Sequence, residues 1–264
     1  MIHPTAVIHP AARLGAGTVV GPFAVIEEWV QLGDQCVIGP HVHLTGDTVA
    51  GHRNHFHAGC VIGDIPQDVK FAGDRTRLRI GHDNVFREHV TVHRSNQAAE
   101  DTVIGDGNCF MAGSHVGHNC RLGDRNTLAN GALLAGHVTL SDRAFVSGNC
   151  LVHQFCRIGR LALMQGGSAI SKDLPPFCIA RGDNGIVGLN SVGLRRAGIA
   201  SADRLALRRA YHGLFRSTNR RVVSLAATRE AGAGNPLVEE LVAFVEASRR
   251  GVCADTGSLG VDSE

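Results

Sequence analysis

The stretch "VIHPAARLGAGTVVGPFAVIEEWVQLGDQCVIG", residues 7–39, decides the fold, because every sixth position in it is aliphatic. These positions are Ile8, Leu14, Val20, Ile26, Leu32 and Ile38. The same phase extends to Ile62, resumes over residues 80–92, and runs again over residues 104–170. A period of six matches neither the period of about 3.6 of a helix nor that of about 2 of a simple strand.

A hexapeptide period is explained by short strands that are separated by glycine-rich corners. Because all the large aliphatic side chains point the same way, the strands must wind around a shared interior, which predicts a parallel β-solenoid. Free cysteine packs as a small apolar group, so cysteines four positions after an aliphatic are interpreted as core residues without a redox or metal role. These are Cys36, Cys60, Cys120, Cys150 and Cys156.

The hexapeptide pattern resembles the left-handed parallel β-helix of the hexapeptide acyltransferases, where three hexapeptides make one triangular coil. The left hand is what the resemblance implies, since the general rule for crossover connections favours the right hand. Two polar stretches interrupt the pattern, "DIPQDVKFAGDRTRLR" at residues 64–79 and "RSNQAAED" at residues 94–101, and both are predicted loops. We predict a solenoid over residues 1–185, a C-terminal α-helical domain over 186–250 and a flexible tail over 251–264.

Two segments near the C-terminus combine helical spacing with capping signals. "SADRLALRRAYHGLFR" begins with Ser201, the predicted N-cap of one helix. "NPLVEELVAFVEASRR" begins with Asn235 as the predicted cap and Pro236 at the first helical position. The formal net charge of the chain is only +2, yet residues 195–221 contain eight arginines and a single acid, Asp203. Such a basic face predicts an acidic partner.

The termini and the composition exclude several classes of protein. The N-terminus lacks a basic segment followed by a long apolar run, and no stretch of about 18 apolar residues occurs in the chain. We therefore expect a cytoplasmic protein without a membrane span. We expect no nucleic-acid partner, and no cysteine pair has the C-x2-C spacing of a zinc module.

Histidines cluster on either side of the second predicted loop, where "SHVGHNC" holds His115 and His118. If three hexapeptides form a coil, His118 lies beside Gly136 and His137 lies beside Asn119. One interpretation is a general base with polar neighbours in a cleft, and another is a set of solvated corner residues. A third is a zinc site of three histidines, as in the γ-type carbonic anhydrases. The sequence lacks the companion glutamate and arginine pattern of that class, which counts against a metal site.

An ordered set of motifs decides between these interpretations. The motifs are "IPQDVKFAGD", "TVHRS", "HVGHNC", "LLAGHVTL", "LVHQFCRIG", "KDLPPFCIARGDN" and "AYHGLFRS". Together they resemble the acyl-ACP:UDP-N-acetylglucosamine O-acyltransferases, which begin lipid A synthesis. The resemblance implies a homotrimer that moves a (R)-3-hydroxyacyl group from the phosphopantetheine of acyl carrier protein to the 3-hydroxyl of UDP-N-acetylglucosamine. It implies no metal or other cofactor, and it leaves open the acyl chain length and whether the acceptor is a hydroxyl or a 3-amino sugar.

The resemblance also assigns catalytic roles. A hydroxyl is a poor nucleophile near neutral pH, so a general base must take its proton, and the motifs place His118 in that role. They place the backbone N–H of Gly136 where it stabilises the developing oxyanion. The residue after the base is often an aspartate in better-known members, whereas here it is Asn119. An amide oxygen accepts the ring N–H but brings no charge, so we expect a less basic imidazole unless another acid substitutes.

The other predicted site residues bind substrate by the same resemblance. They are Asp68 and Lys70 for the sugar or its phosphates; His115, His137 and His153 for the cleft; Gln154 and Asn190 for the nucleotide; Gly166 for acyl length; and Arg195 and Arg196 for the donor. Two alternative functions are a zinc-dependent hydratase of the carbonic anhydrase type and a non-catalytic solenoid scaffold.

Overall fold

The computed structural model describes residues 1–217 and 221–257. Its strands, in chain order, are β1 (Val7–Ile8), β2 (Arg13–Leu14), β3 (Val19–Val20), β4 (Val25–Ile26), β5 (Gln31–Leu32), β6 (Val37–Ile38), β7 (His43–Leu44), β8 (Asp47–Ala50), β9 (His55–Phe56), β10 (Val61–Asp64), β11 (Arg77–Ile80), β12 (Val85–Phe86), β13 (Thr91–His93), β14 (Asp101–Ile104), β15 (Cys109–Phe110), β16 (His115–Val116), β17 (Arg121–Leu122), β18 (Thr127–Leu128), β19 (Leu133–Leu134), β20 (Thr139–Leu140), β21 (Phe145–Val146), β22 (Leu151–Val152), β23 (Arg157–Ile158), β24 (Leu163–Met164), β25 (Ala169–Ile170), β26 (Cys178–Arg181), β27 (Gly185–Leu189) and β28 (Ala254–Asp255). The helices are α1 (Ser191–Arg196), α2 (Ser201–Phe215), α3 (Arg221–Ala231) and α4 (Pro236–Glu246).

Every third strand up to β25 joins the same sheet, so the chain winds around three faces. The first face contains β1, β4, β7, β10, β13, β16, β19, β22 and β25. The second face contains β2, β5, β8, β11, β14, β17, β20 and β23. The third face contains β3, β6, β9, β12, β15, β18, β21 and β24, and it is extended by β26, β27 and β28. This architecture confirms the predicted left-handed parallel β-helix with helices at its C-terminal end.

Strand register shows where the two loops leave the solenoid. Ordinary coils pair residues such as Leu133 with Leu151, whereas Val61 pairs with Thr91 and Thr91 pairs with His115. The two longer spacings accommodate a first loop after β10, residues 65–76, and a second loop after β13, residues 94–100. Both are shorter than the predicted loops at 64–79 and 94–101, because Asp64, residues 77–79 and Asp101 pair as strand residues of β10, β11 and β14. Because β10 and β13 are neighbours on the first face, both loops emerge side by side at one corner.

The interior is packed by the aliphatic positions of the repeat together with aromatic and polar stacks. Phe56, Phe86 and Phe110 stack inside the third face with ring centroids 4.9 and 4.7 Å apart. All five repeat cysteines are fully buried, which confirms that they are core residues. The side-chain oxygen of Asn84 accepts the backbone N–H of Asn108 at 2.9 Å, one step of a buried asparagine ladder that satisfies corner amides between coils.

The C-terminal part begins with strands. β27 pairs antiparallel with β26, so residues 186–189, which the sequence places in the helical domain, extend the third face instead. Asn235 caps α4 by accepting from two backbone N–H groups, as predicted. The N-cap of α2 is Ala200, so the predicted cap at Ser201 is wrong by one residue, and Ser201 is already helical.

The expected flexible tail also differs in its first part. Val252 and Cys253 are buried, and β28 pairs with β27. The reason is that β27 leaves an open sheet edge that this segment covers. Residues 258–264, the rest of that predicted tail, lie outside the described residues.

A buried ion pair attaches the helices to the end of the solenoid. Asp173 is 1% exposed and accepts hydrogen bonds from Arg157 Nε at 3.0 Å and from the hydroxyl of Ser248 at 2.8 Å. Arg157 also donates to the carbonyl oxygen of Phe244 in α4. Within the described ranges, no helix has the length and apolar character that crossing a bilayer requires.

Candidate active site

The first face carries a cavity of about 740 Å³ next to the two loops. His93 of β13 and His115 of β16 form part of its lining, together with His118 and Gly136 in the turns that follow β16 and β19. His115 pairs with Leu133, which pairs with Leu151, and both leucines point outward with 39% and 50% of their surface exposed. Ala169 continues this row on β25. An apolar stripe therefore runs from the histidines toward the C-terminal end of the solenoid.

The hydrogen bonds of His118 determine which of its ring nitrogens carries the proton. His118 Nδ1 lies 2.8 Å from Asn119 Oδ1. The same Oδ1 accepts the backbone N–H of Asn96 at 3.0 Å, which identifies this atom as the amide oxygen. The ring must therefore donate from Nδ1, so that in the neutral imidazole Nε2 is the nitrogen with the lone pair. This is the state that a general base needs.

Asn119 is itself held by residues of the second loop and its border. Its side-chain nitrogen donates to Ser95 Oγ at 2.8 Å and to Glu100 Oε2 at 3.1 Å, and its backbone N–H donates to Thr102 Oγ1 at 2.7 Å. The residue is 4% exposed and has a φ of 58°, a left-handed conformation that asparagine tolerates better than most residues. The second loop therefore fixes the orientation of the amide that orients His118.

Gly136 lies directly against the imidazole of His118. A Cβ atom at this position would come within 2.7 Å of both Cε1 and Nε2 of the ring. A side chain at this position would therefore force the His118 ring to move, and the predicted stacking of His118 beside Gly136 is present. Among the described residues, no hydrogen-bond partner faces the backbone N–H of Gly136.

His115 and His93 form a second pair of rings in the cavity. His115 Nδ1 and the hydroxyl of Thr91 are 2.8 Å apart, and the His93 ring meets the His115 ring edge-on with centroids 5.2 Å apart. Burial, with the neighbouring His93 and His118, lowers the pKa of the His115 imidazole to about 4. His115 is therefore a neutral, polar wall of the cavity near neutral pH.

His137 and His153 approach the cavity from the next coils. The His137 ring is edge-on to His118 at 5.1 Å and stacks on Phe155 at 4.6 Å. Burial and the charge of His118 lower the pKa of His137, partly offset by Glu100 and Asp68. His153 and the exposed Gln154 line the cavity.

Asp68 connects the first loop to Asn96, the second-loop residue whose backbone N–H bonds Asn119. One carboxylate oxygen accepts from the side-chain nitrogen of Asn96 at 2.7 Å, and the other accepts the backbone N–H of Lys70 at 2.9 Å. These bonds, from Lys70 and then Asn96, lower the pKa of the Asp68 carboxyl. The Lys70 side chain is exposed beside it.

Comparison with known proteins identifies the family. The profile described as UDP N-acetylglucosamine O-acyltransferase, domain 2, matches residues 173–253, and the bacterial transferase hexapeptide profile matches residues 11–46 and 101–136. An acyl-[acyl-carrier-protein]–UDP-N-acetylglucosamine O-acyltransferase from Alkalilimnicola ehrlichii is 47% identical over 253 residues, covering 95% of this chain and 98% of its own. The chain belongs to this O-acyltransferase family.

Further family members agree in sequence and in structure. The O-acyltransferase from Herminiimonas arsenicoxydans is 40% identical and covers 96% of this chain and 98% of its own. A UDP-N-acetylglucosamine acyltransferase structure from Campylobacter jejuni has a TM-score of 0.90 at 33% identity, covering 96% of this chain and 99% of its own. The one from Moraxella catarrhalis has a TM-score of 0.92 at 35% identity, with coverage of 96% and 99%.

Membership in this family of acyltransferases decides against both alternative functions. The carbonic anhydrase hypothesis needed three histidines around one zinc ion. Within residues 1–217 and 221–257, no three His, Cys, Asp or Glu side chains come together as a metal-binding group. His115 instead faces the hydroxyl of Thr91, and His118 faces Asn119.

Seven of the ten predicted substrate residues are not among the residues that line the cavity: Asp68, Lys70, His137, Gly166, Asn190, Arg195 and Arg196. Asp68 and His137 lie near His118, with Lys70 following Asp68 in the first loop, whereas the other four lie elsewhere in the fold. Asn190 is buried as the N-cap of α1, where its oxygen accepts from the N–H of Gly193 and its nitrogen donates to the carbonyl of Leu161. Its polar atoms are thus occupied by the fold. Gly166 lies in an exposed turn after β24, and Arg195 and Arg196 are exposed on α1.

The structure adds site residues that sequence reasoning did not select. His93 is buried in the cavity wall, while Ser95, Asn96 and Glu100 hold the side chains of Asn119 and Asp68. The motif "TVHRS" contains two of them and was a usable signal. Nothing in the sequence marks Glu100, because its role depends on how the second loop folds back onto Asn119.

Proposed function

We propose that this chain transfers a (R)-3-hydroxyacyl group from acyl carrier protein to the 3-hydroxyl of UDP-N-acetylglucosamine, the first step of lipid A biosynthesis. The relatives with this printed activity cover nearly the whole chain. The observation that carries the mechanism is that His118 donates from Nδ1 to Asn119, which makes Nε2, beside Gly136, the lone-pair nitrogen of the neutral ring.

The chemistry needs one proton transfer in each direction. Nε2 of His118 takes the proton of the sugar hydroxyl as its oxygen attacks the thioester carbonyl. The imidazolium keeps its Nδ1–H on Asn119. Collapse of the tetrahedral intermediate breaks the carbon–sulfur bond, and the phosphopantetheine thiolate leaves with the proton from Nε2. No covalent enzyme intermediate, metal or other cofactor takes part.

The developing oxyanion takes a hydrogen bond from the backbone N–H of Gly136. This amide has no partner among the described residues and lies beside the base. A preorganised donor of this kind typically contributes about 2.7–4 kcal/mol to the transition state. Because Gly136 has no side chain, the imidazole of His118 and the thioester carbonyl of the donor can approach one another.

Substrate contacts follow from the walls of the cavity. His115, His153 and Gln154 of the cavity wall contact the acceptor. His137, whose ring packs edge-on against His118, borders the same site, and Asp68 and Lys70 approach the sugar or its phosphates from the first loop. The apolar stripe on the first face provides a surface for the acyl chain. Leu133 and Leu151 of this stripe are exposed on a single chain, which supports an assembly in which a neighbouring solenoid completes the cleft. The family resemblance implies that this assembly is a homotrimer.

The predicted substrate residues that lie away from this cavity act on the acyl chain, the nucleotide or acyl carrier protein. Gly166 limits acyl length from a neighbouring solenoid, and Asn190 acts on the nucleotide only indirectly because its amide caps α1. Arg195 and Arg196 are exposed and belong to the basic face that docks acidic acyl carrier protein. Of the eight arginines in that segment, Arg220 lies outside the described residues.

The test is to incubate the purified chain with UDP-N-acetylglucosamine and a mixture of (R)-3-hydroxyacyl carrier proteins, and to identify the product by mass spectrometry. We expect one or a few UDP-3-O-acyl products that form only when the enzyme is present. Absence of any acylated sugar nucleotide would contradict the proposed function.

A further inference from the structure

We propose that Glu100 supplies, through Asn119, the negative charge that a carboxylate next to the base would otherwise provide. The inference rests on the proposed function, because it assigns Glu100 as a positioning residue for His118. The bonds run from His118 Nδ1 to Asn119 Oδ1 at 2.8 Å, and from Asn119 Nδ2 to Glu100 Oε2 at 3.1 Å.

The neutral amide of Asn119 can transmit charge because its two ends are bonded in opposite directions. Its oxygen accepts from the imidazole while its nitrogen donates to a carboxylate, so each hydrogen bond polarises the amide in favour of the other. When His118 gains a proton, its Nδ1–H becomes a stronger donor and draws more electron density to Oδ1. Glu100 stabilises the matching positive polarisation at Nδ2. Hydrogen bonds with an ionised partner are typically the stronger ones.

The other charged groups near His118 do not replace this contact. Asp68 interacts with the charge of His118 across space, and its carboxylate bonds Asn96 and the Lys70 backbone. His115 and His137 bring positive charge when protonated, which opposes an imidazolium at His118. Among the described groups, only Glu100 places a carboxylate on the amide that orients the ring.

The exposure of Glu100 limits the size of the effect. Water screens an exposed carboxylate, so its interaction with a charge several ångströms away is modest. We expect Glu100→Gln to lower kcat roughly 2- to 5-fold, with little change in KM. The glutamine keeps an acceptor oxygen for Asn119, so the loop contact survives while the charge is lost.

The experiment compares four forms of the full chain: wild type, Glu100→Gln, Asn119→Asp, and the double variant. Acyl transfer is measured as kcat and KM across pH, with Glu230→Gln as a control at an exposed helical glutamate. We expect Glu100→Gln alone to move the acidic limb of the pH–rate profile to lower pH, because the imidazolium loses a stabilising charge. In the Asn119→Asp background the same change should cost less than about twofold, since the introduced carboxylate carries the charge itself.

Each result decides the inference. A Glu100→Gln profile that superimposes on the wild type overturns it, as does an equal loss in both backgrounds, which would indicate a purely structural contact. If the wild type transfers no acyl group, the proposed function fails and this inference fails with it. If the wild type is active and His118→Ala is inactive while Glu100→Gln is unchanged, only the role of Glu100 is refuted.

Discussion

Replacing Gly136 with alanine should damage catalysis far more than stability. The added Cβ would lie 2.7 Å from Nε2 and Cε1 of His118, whereas ordinary contact begins at 3.4 Å. The imidazole must therefore move by about 0.7 Å, away from the position that its bond to Asn119 defines. The backbone does not oppose the change, because φ of Gly136 lies outside the left-handed region.

The size of the loss follows from how steeply transfer rates depend on geometry. A misplacement of about 1 Å can cost on the order of 100-fold in rate, so kcat should fall roughly 100-fold. Overpacking of this kind costs about 1–3 kcal/mol in unfolding free energy. The assay is steady-state acyl transfer at saturating acceptor, together with thermal denaturation of the same samples.

Gly148→Ala is the matched control. Gly148 occupies the same hexapeptide position on another corner, where a Cβ meets only the carbonyl oxygen of Asn130 at 3.3 Å. It should keep kcat within about twofold of the wild type. If Gly136→Ala also stays within threefold while folded, the ring of His118 does not need the position described here. In a His118→Ala background, the alanine at Gly136 should cost no stability, because the clash is gone.

Three further perturbations test the fold and the cavity. Asn84→Ala removes the acceptor of the buried Asn108 N–H, so urea denaturation should show an unfolding free energy about 1–3 kcal/mol lower. An unchanged urea midpoint would contradict a stabilising role of the asparagine ladder. The pKa of His115 falls from 6.5 to about 4 on folding, so the unfolded chain binds more protons between these values and stability should drop as pH falls through that window. His115→Gln should flatten this dependence in denaturation curves at pH 7 and 4.5, and an identical slope would refute burial of a neutral imidazole. Asp173→Ala leaves Arg157 without its buried partner and should cost about 3–5 kcal/mol in thermal unfolding; a change below about 1 kcal/mol would show that the helices dock without this pair.

The repeat made most of the fold predictable. One large side chain every six residues predicts a set of short strands around a common interior. Because three hexapeptides make one coil, residues 18 positions apart stack on adjacent coils. The neighbours His118 and Gly136 were predictable for this reason. The segment at Val252 and Cys253 was not, because the open edge of β27 that it covers is created by a hairpin outside the repeat.

The site was only partly predictable for a similar reason. Loop residues such as Glu100 and Asn96 take their positions from non-periodic backbone that folds against Asn119. Asn190 carries a side chain suited to ligand binding, but its oxygen caps α1 and its nitrogen donates to the carbonyl of Leu161. Periodicity thus locates the rigid half of the site, while tertiary hydrogen bonds decide the rest.

The most direct test of the account is the turnover number of His118→Ala, measured with (R)-3-hydroxyacyl carrier protein and UDP-N-acetylglucosamine. General base catalysis contributes about 100- to 10,000-fold, so we expect kcat to fall by at least 100-fold with KM little changed and the chain still folded. A folded His118→Ala variant that keeps kcat within tenfold of the wild type would contradict the assignment of His118 as the base.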